Sequence, residues 1–293
     1  MVILIHTIRV FWKIGLVWSM AFTALEFFDI PVPEVLLVLG ILNIFLFFDK
    51  NVYYMMGYFL GNYIIHIKHL LRPPSVDTYE CEVDYILPFE GAWTALNGGT
   101  SRKLSHTWAL ANQRYAYDFV IMDDKGQTFE GNHKDVESYF CYGENVIAPA
   151  DGTVVKVSNK HRNSRPMRKI AVCDTSDPRG NFVIIQHAEK EFSLLAQLLP
   201  GSVTVQAGDK VEQGEVIGKC GNSGNTSEPH LHFQLQSSKT FLTGAGLPIA
   251  FTNIHARRKP SYRKKDSRTP QKELIEAGDG RVYIGRGFEV WNS

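Results

Sequence analysis

The sequence predicts a mainly β protein, a compact antiparallel sandwich or partly open barrel, preceded by transmembrane helices. Between about residues 85 and 255, short apolar or alternating runs are separated by turns rich in Gly, Asp and Pro, and no helical periodicity is sustained. Residues 1–72 instead hold three long apolar runs. A 293-residue chain with 44% hydrophobic and 21% charged residues is not disordered, and it has room for one sizeable domain and an additional region.

The charges vary along the chain and suggest three regions. Residues 1–72 carry 5 Lys and Arg against 4 Asp and Glu, residues 73–256 carry 16 against 21, and residues 257–293 carry 10 against 5. We predict a membrane-anchoring region of two to three spans, a β domain, and a basic tail with a short closing hairpin. The net charge of +1 suggests no nucleic-acid partner. The four cysteines have no Cys-x-x-Cys spacing, so the sequence suggests neither a zinc ribbon nor a thioredoxin motif.

The apolar runs of the first region are 14–25, 35–48 and 51–65. Each is marginal for a bilayer core that needs about 20 helical residues, but Trp and Tyr residues flank them, as is typical of membrane interfaces. No small-x-small cleavage site follows the first run, and a cleaved leader would not be trailed by two more apolar runs. We therefore expect a membrane anchor in contact with lipids, rather than a soluble helical bundle.

The orientation of this anchor is ambiguous from charge. Arg9 and Lys13 favour a cytoplasmic N-terminus, whereas Lys68 and Arg72 favour the cytoplasm for the opposite end. Three spans would place residue 73 onward outside the cell, and two would return it to the cytoplasm. The chemistry predicted below favours a multi-pass protein of the cell membrane with its β domain outside the cytoplasm.

Within the β domain, individual strands follow from local pattern. Residues 146–157 predict a hairpin around an Asp-Gly turn, and 181–186 and 192–198 predict two further strands. Residues 203–219 predict a tight meander. Residues 230–236, with the sequence HLHFQLQ, alternate as a strand with one buried face does.

His230 and His232 form the first candidate site. At positions i and i+2 of a strand, both imidazoles leave the same face, and can serve one metal ion or one proton-transfer site. A bare His-x-His is also compatible with two half-exposed strand histidines. The preceding loop 221–229, rich in Gly, Asn and Ser, favours a site, because such loops often carry functional residues.

The stretch 201–236 closely resembles the lysostaphin-type zinc metalloendopeptidases, which cut peptidoglycan peptides. The resemblance rests on Gly-Asp-Lys-Val at 208–211, Gly-Asn-Ser-Gly-Asn at 221–225 and Ser-Glu-Pro-His-Leu-His-Phe at 227–233, and it extends upstream to Tyr-Ala-Tyr-Asp-Phe at 115–119. It covers about 150 of the 293 residues. It implies a compact β domain of the duplicated hybrid motif type, a zinc ion, and peptidoglycan peptides as the substrate.

The resemblance also assigns roles to residues. It makes His232 and Asp118 zinc ligands and His230 a catalytic histidine. The usual first ligand lies four residues before the aspartate, but that position is Arg114, whose guanidinium stays protonated and cannot bind zinc. His106 is the best substitute, with a surface-loop histidine as the alternative. Two imidazoles and one carboxylate leave an open position, as hydrolytic zinc sites do.

A second departure from the family pattern is Gln197, in Leu-Ala-Gln-Leu at 195–198 where most members have a histidine. Its amide can donate a hydrogen bond to an oxyanion, but it cannot carry a proton. We therefore assign Gln197 a catalytic role in stabilising charge. His187, at the end of the preceding predicted strand, is expected to be structural.

These assignments predict a membrane-anchored zinc endopeptidase that hydrolyses peptide bonds of cell-wall peptidoglycan. The alternative is a catalytically impaired member of the same family that acts as a binding or regulatory protein of cell-wall hydrolysis, as Gln197 would suggest. A transporter is weaker, because the apolar runs hold no ionisable residue at mid-span. The basic run 257–268 is expected to be flexible and solvated, or to contact anionic wall polymers or lipid headgroups.

Overall fold

The computed structural model describes residues 50–166, 172–173 and 177–293. The chain divides into two compact units, Met1–Gly57 and Tyr58–Ser293, and the described part is almost entirely the second. The first two apolar runs lie outside the described residues, so spans there stay predictions. The third run forms helix α1, Lys50–Lys68. Within the described ranges, no helix combines the length and apolarity needed to cross a membrane.

Short antiparallel strands dominate the described residues. Besides α1, the helical elements are one 3-10 turn, Val136–Ser138, and the single-turn helix α2, Tyr262–Lys265. The strands are β1 Trp93–Asn97, β2 Tyr117–Val120, β3 Asn145–Ile147, β4 Gly152–Ser158, β5 Val172–Cys173, β6 Asn181–Ala188, β7 Glu191–Leu198, β8 Lys210–Val211, β9 Val216–Lys219, β10 Asn225–Thr226, β11 Leu231–Gln236, β12 Gly246–Leu247, β13 Ile254–Arg258, β14 Ile275–Gly278, β15 Arg281–Tyr283 and β16 Phe288–Asn292.

One large antiparallel sheet organises the domain. Its order is β13-β16-β1-β2-β11-β7-β6-β4-β8, and β12 joins it by pairing with β11. Three two-stranded sheets, β3 with β9, β5 with β10 and β14 with β15, complete the described strands. The predicted mainly β, antiparallel class is confirmed. The strands predicted at 181–186, 192–198 and 230–236 are β6, β7 and β11.

The central strands β6 and β7 are buried on both faces. Val183 and Leu195 belong to the large hydrophobic core on one side of the sheet, whereas Ile184 and Leu194 belong to a second cluster on the other side. Burying each such side chain contributes about 1.5–3 kcal/mol. Phe241 packs into the second cluster. The sheet face covered by this second cluster also carries the candidate site.

The basic tail is part of the sheet, so the prediction that it is flexible is wrong. β13 pairs with β16, and β16 pairs with β1. The predicted boundary after residue 256 therefore falls inside a strand. The basic run is ordered because its charges are paired: Lys259 Nζ lies 2.7 Å from Glu289 Oε1, and Arg257 pairs with the same carboxylate. Tyr262 is buried, and its hydroxyl donates to the carbonyl of Leu96 at 3.0 Å.

The closing hairpin predicted within this tail is also wrong. β15 pairs with β14, its predecessor, and β16 lies between β13 and β1 in the large sheet. The two apolar runs flanking Gly285–Gly287 are adjacent in sequence but find different partners. Gly287 has a φ of +91° and donates its N–H to the carbonyl of Ala95, so this segment directs β16 toward β1.

The C-terminal part of α1 packs against the β domain, although it lies within the predicted anchoring region. Ile65 is fully buried in a small cluster with Ala111 and Ala245. Asn62 Oδ1 accepts a hydrogen bond of 2.9 Å from the N–H of Ala111. Tyr58 meets Phe241 edge-on, with ring centroids 5.9 Å apart. Residues 58–68 therefore brace the loop between β1 and β2.

We expect Ile65→Ala to lower the free energy with which this part of α1 stays docked by about 2–5 kcal/mol, because it removes a fully buried side chain. Hydrogen exchange of residues 58–68 in the full chain would measure the loss of protection. Ile67, whose side chain is 69% exposed on the same helix, provides the matched control Ile67→Ala, with an expected effect below about 0.5 kcal/mol. Equal responses of the two variants would contradict this packing.

Candidate metal centre and substrate cleft

Strand register places four positions in a row across the sheet. Asn97 on β1 lies opposite Asp118 on β2, Asp118 lies opposite His232 on β11, and His232 lies opposite Ala196 on β7. Directly opposite residues of antiparallel strands direct their side chains to the same face. Neighbouring strands are about 4.8 Å apart, so the row brings residues from distant parts of the sequence within contact distance. Gln197 follows Ala196 at one end of the row.

A cleft of about 470 Å³ opens over this row. All five residues predicted from the sequence line it: His106, Asp118, Gln197, His230 and His232. His106 lies in the loop between β1 and β2, and His230 immediately precedes β11. The structure therefore brings the predicted site residues together, while their individual roles stay predictions.

Asp118 is the centre of the cluster. Its Oδ1 lies 3.0 Å from His232 Nδ1 and 3.6 Å from His230 Nε2, and its Oδ2 lies 3.7 Å from His106 Nδ1. Burial alone would raise the pKa of Asp118, but the hydrogen bond with His232 and the charges of the three imidazoles hold this pKa well below its usual range. The carboxylate is therefore ionised at neutral pH.

A chain of amides determines which nitrogen of His232 carries a proton. His232 Nε2 lies 3.0 Å from Gln234 Oε1, and Gln234 Nε2 donates to the carbonyl of Asn112 at 3.0 Å and to Gln236 Oε1 at 2.8 Å. Because these contacts use the nitrogen of Gln234 as a donor, its oxygen accepts the Nε2–H of His232. The Nδ1 atom of the neutral imidazole then points its lone pair at the carboxylate of Asp118.

His232 Nδ1 and Asp118 Oδ1 are both acceptors in this tautomer, and at a separation of 3.0 Å they require a proton or a cation between them. Burial would lower the pKa of His232, but its hydrogen bond with Asp118 and the charge of that carboxylate raise the pKa above its ordinary value. A proton held between His232 and Asp118 serves this purpose in the described arrangement. A metal ion between the two atoms would have the same effect. Metal-binding histidines usually donate their second ring N–H to an oxygen acceptor, as His232 does to Gln234.

His230 is oriented by the backbone of its own loop. Its Nδ1 lies 2.7 Å from the carbonyl of Glu228, so Nδ1–H donates to that oxygen. The hydroxyl of Thr226 also contacts Nδ1, at 3.2 Å. The Nε2 atom is thereby left with its lone pair on the cleft side, near Asp118. This tautomer can accept a proton in the cleft.

His106, rather than Arg114, faces Asp118. The backbone N–H of His106 donates to Asn97 Oδ1 at 3.0 Å, and its side chain is half-exposed at the edge of the cleft. Burial lowers its pKa, while Asp118 acts in the opposite direction. Arg114 points elsewhere: its Nε donates to the carbonyl of Trp108 at 3.2 Å, and its guanidinium lies over the Trp108 ring.

Gln197 is held in an unusual conformation. Its φ is +66°, a region that non-glycine residues rarely adopt, and its backbone N–H donates to the carbonyl of Arg179 at 2.9 Å. The side-chain Nε2 donates to the carbonyl of Asn225 at 3.2 Å. The side-chain amide of Gln197, predicted to donate to an oxyanion, thus donates at least one N–H to the protein itself. Its Oε1 is buried and has no hydrogen-bond partner among the described residues.

His106, Asp118 and His232 fit the ligand preferences of a zinc ion, although the contact between His232 and Asp118 must lengthen to admit it. Within the described ranges, no group of three or more His, Cys, Asp or Glu side chains forms a ready-made metal site. Two ligands bound at 2.0–2.2 Å in a tetrahedron lie roughly 3.3 Å apart. The separations at Asp118, 3.0 Å to His232 and 3.7 Å to His106, bracket that value. A cation would replace the direct His232–Asp118 hydrogen bond.

Some residues of the site were not predicted. Gln234 and Gln236 share the face of His232 by period two, so alternation in HLHFQLQ could have indicated their role. Tyr58 lines the cleft from a helix that the sequence assigned to the anchor. Asn97 carries no local signal, because its place depends on the register between β1 and β2.

Comparison with known proteins defines the class of this domain. Residues 131–243 match the model of Peptidase family M23, so this part of the chain is similar to that family, which is of the metallo-endopeptidase kind. The lysostaphin-type resemblance predicted from the sequence is confirmed. The matched range includes Gln197, His230 and His232, whereas His106 and Asp118 lie upstream of it.

Individual known proteins are similar to parts of this chain. A protein described as an uncharacterized metalloprotease from Haemophilus influenzae is 34% identical over 102 residues, or 35% of this chain and 18% of the relative. The peptidoglycan DD-endopeptidase ShyA of Vibrio cholerae is 39% identical over 56 residues, or 19% of this chain and 13% of the relative. The chain thus spans less than a fifth of either relative. The catalytic domain of lysostaphin from Staphylococcus simulans, 19% identical, aligns with 58% of this chain and 90% of its own, with a TM-score of 0.29.

Proposed function

We propose that this protein is a membrane-anchored, zinc-dependent endopeptidase that hydrolyses peptide bonds of peptidoglycan. The observation that carries the proposal is the convergence of His106, His230 and His232 on one buried carboxylate, Asp118, in a cleft of a peptidase domain. The choice of substrate is supported by the relative ShyA, which is named a peptidoglycan DD-endopeptidase.

His106, Asp118 and His232 would hold the zinc ion through two imidazole nitrogens and one carboxylate. When bound, zinc lowers the pKa of a coordinated water to about 7 and polarises a carbonyl. Gln234 supports His232 by accepting its Nε2–H, which keeps Nδ1 directed at the metal position. Asp118 contributes a negative charge that survives at neutral pH, because its pKa is depressed by the surrounding imidazoles.

His230 would move the proton during hydrolysis. With Nδ1–H fixed on the carbonyl of Glu228, Nε2 is free to take a proton from the attacking water and to pass it to the leaving amine. Burial of the side chain, which is 13% exposed, keeps this nitrogen in a defined position in the cleft.

The second candidate is a catalytically impaired member of the family that binds cell-wall peptides or regulates their hydrolysis. Gln197 favours it, because an amide replaces a group able to hold a proton. The retention of three imidazoles around Asp118 favours the enzyme, since a binding protein has no need for that cluster.

Zinc content and turnover of the full chain in detergent would separate the two candidates. For the enzyme we expect about one zinc per chain by elemental analysis, and new muropeptide fragments when purified peptidoglycan is digested. Zinc binding without turnover, with turnover gained by Gln197→His, would support the impaired member. Absence of zinc from the full chain, even after incubation with the metal, would contradict the enzyme.

We also propose that the peptidase domain lies outside the cytoplasm, because its substrate is there, with the membrane anchor within the N-terminal region 1–72. An alkaline phosphatase fused after Ser293 should then be active, since that enzyme requires an oxidising compartment. An inactive phosphatase together with an active cytoplasmic reporter at the same position would contradict this orientation.

A further inference from the structure

Two buried amide side chains in the cleft each have one atom without a hydrogen-bond partner among the described residues. Asn97 Nδ2 and Gln197 Oε1 have none among the described residues, although Asn97 is only 2% exposed and Gln197 only 6%. Both residues line the cleft over Asp118. A buried polar group left unsatisfied is costly, so natural proteins usually pair such groups with protein, water or a ligand.

The orientation of the Asn97 amide follows from its oxygen. Asn97 Oδ1 accepts the backbone N–H of His106 at 3.0 Å and lies 3.5 Å from Arg268 Nη1. Both neighbours are donors, so this atom is the oxygen and the unpartnered atom is the nitrogen. Asn97 lines the cleft, and its unpartnered atom is therefore an N–H donor.

The Gln197 amide is oriented in the opposite sense. Its nitrogen faces the carbonyl of Asn225, which accepts a hydrogen bond and would repel an oxygen in that place. The unpartnered atom is consequently the oxygen, Oε1, an acceptor. The positive φ of Gln197 holds the side chain in this position, through a backbone bond to the carbonyl of Arg179.

These two groups lie on opposite sides of the metal centre. Asn97, Asp118, His232 and Ala196 occupy four successive strands in register, and Gln197 follows the last of them. Three strand spacings amount to roughly 14 Å, and an extended chain rises about 3.4 Å per residue. A stretch of about four extended residues would thus span from one amide to the other, across Asp118 and His232.

We propose that Asn97 and Gln197 bind the main chain of an extended peptide substrate, with Asn97 Nδ2 donating to a substrate carbonyl on one side of the metal centre and Gln197 Oε1 accepting a substrate N–H on the other. The inference rests on the proposed peptidase function and specifies its substrate as a peptide with an amide carbonyl on one side of the scissile bond and a free secondary amide N–H on the other. On this view Gln197 is a substrate-binding acceptor at a position where the family usually has a histidine.

The test measures peptide binding by the full chain in detergent, in a His230→Ala background that prevents turnover. The probe is a purified cross-linked muropeptide dimer. Asn97→Asp keeps the oxygen that braces His106 and exchanges the donor for an acceptor, and Gln197→Met removes the acceptor at similar size. Each should weaken binding about tenfold, the effect of one lost hydrogen bond. Gln206→Met, at an exposed position outside the cleft, is the matched control and should bind as the parent does.

A second ligand series connects Gln197 to a particular atom of the substrate. Synthetic peptides with the sequence of the cross-link are N-methylated at one amide at a time. We expect one methylation to cost about tenfold in the parent and nothing further in Gln197→Met, because the acceptor is already absent. Zinc content is measured in every variant, so that a disturbed metal centre is recognised.

The outcomes distinguish this inference from the proposed function. Unchanged binding by Asn97→Asp and Gln197→Met overturns the inference, because it would mean that water rather than substrate pairs with the two amides. Failure of the parent to bind the dimer also overturns it. Equal sensitivity of Gln197→Met and the parent to every N-methylated peptide overturns the role of Oε1. Weakened binding in these variants, with no hydrolysis by the native chain, supports the inference and refutes the peptidase.

Discussion

Replacing His232 by alanine is expected to abolish zinc binding and, with it, peptide hydrolysis. The substitution removes the metal-binding Nδ1 atom that lies 3.0 Å from Asp118. It also leaves that buried carboxylate without its closest partner. Changes to residues that only support a ligand already reduce metal affinity 10–100-fold, so loss of the ligand itself should exceed about 100-fold. Elemental analysis of the purified full chain and digestion of peptidoglycan would measure the two losses.

His255→Ala is the matched control for this experiment. His255 is an exposed histidine on β13 that stacks on Trp291, away from the residues that line the cleft. Its removal should leave zinc content and hydrolysis as they are. Zinc retained in full by His232→Ala would contradict the proposed ligand set, and the metal would then have to bind elsewhere.

Replacing His230 by alanine should have a different signature, in which zinc stays and turnover falls. The imidazole contacts Asp118 at 3.6 Å, but it is oriented by Glu228 and Thr226 of its own loop, independently of the bond between His232 and Asp118. Loss of a general acid–base group typically costs about 10²–10⁴-fold in rate. The measurement is the rate of muropeptide release at saturating substrate, together with the zinc content of the same preparation.

His133→Ala provides the comparison for His230→Ala, because His133 lies outside the cleft and packs against Phe129. We expect it to retain the parental rate. Loss of zinc from His230→Ala would identify His230 as a ligand rather than a proton carrier. An unchanged rate would remove it from the mechanism.

The parts of the fold that depend on local pattern could be predicted from the sequence. Short apolar and β-branched runs at 181–186 and 192–198 predicted β6 and β7, and alternation at 230–236 predicted β11, because the side chains of a strand change face at every residue. The same rule puts His230 and His232 on one face. One failure lies in the tail, where charge suggested a solvated segment and pairing with Glu289 instead orders it as part of the sheet. Another is the hairpin predicted at 146–157, because β3 pairs with β9 and β4 pairs with β6 and β8.

From the sequence alone we could infer the mainly β class, the family resemblance and five residues that line one cleft. The folded domain adds that Asn97 lies beside Asp118, that the amide oxygen of Gln197 has no hydrogen-bond partner among the described residues, and that Tyr58 of α1 lines the same cleft. These three facts depend on packing, because the register between strands far apart in sequence is set by packing of the whole sheet. No spacing along the chain encodes which side chains that packing will bring opposite one another.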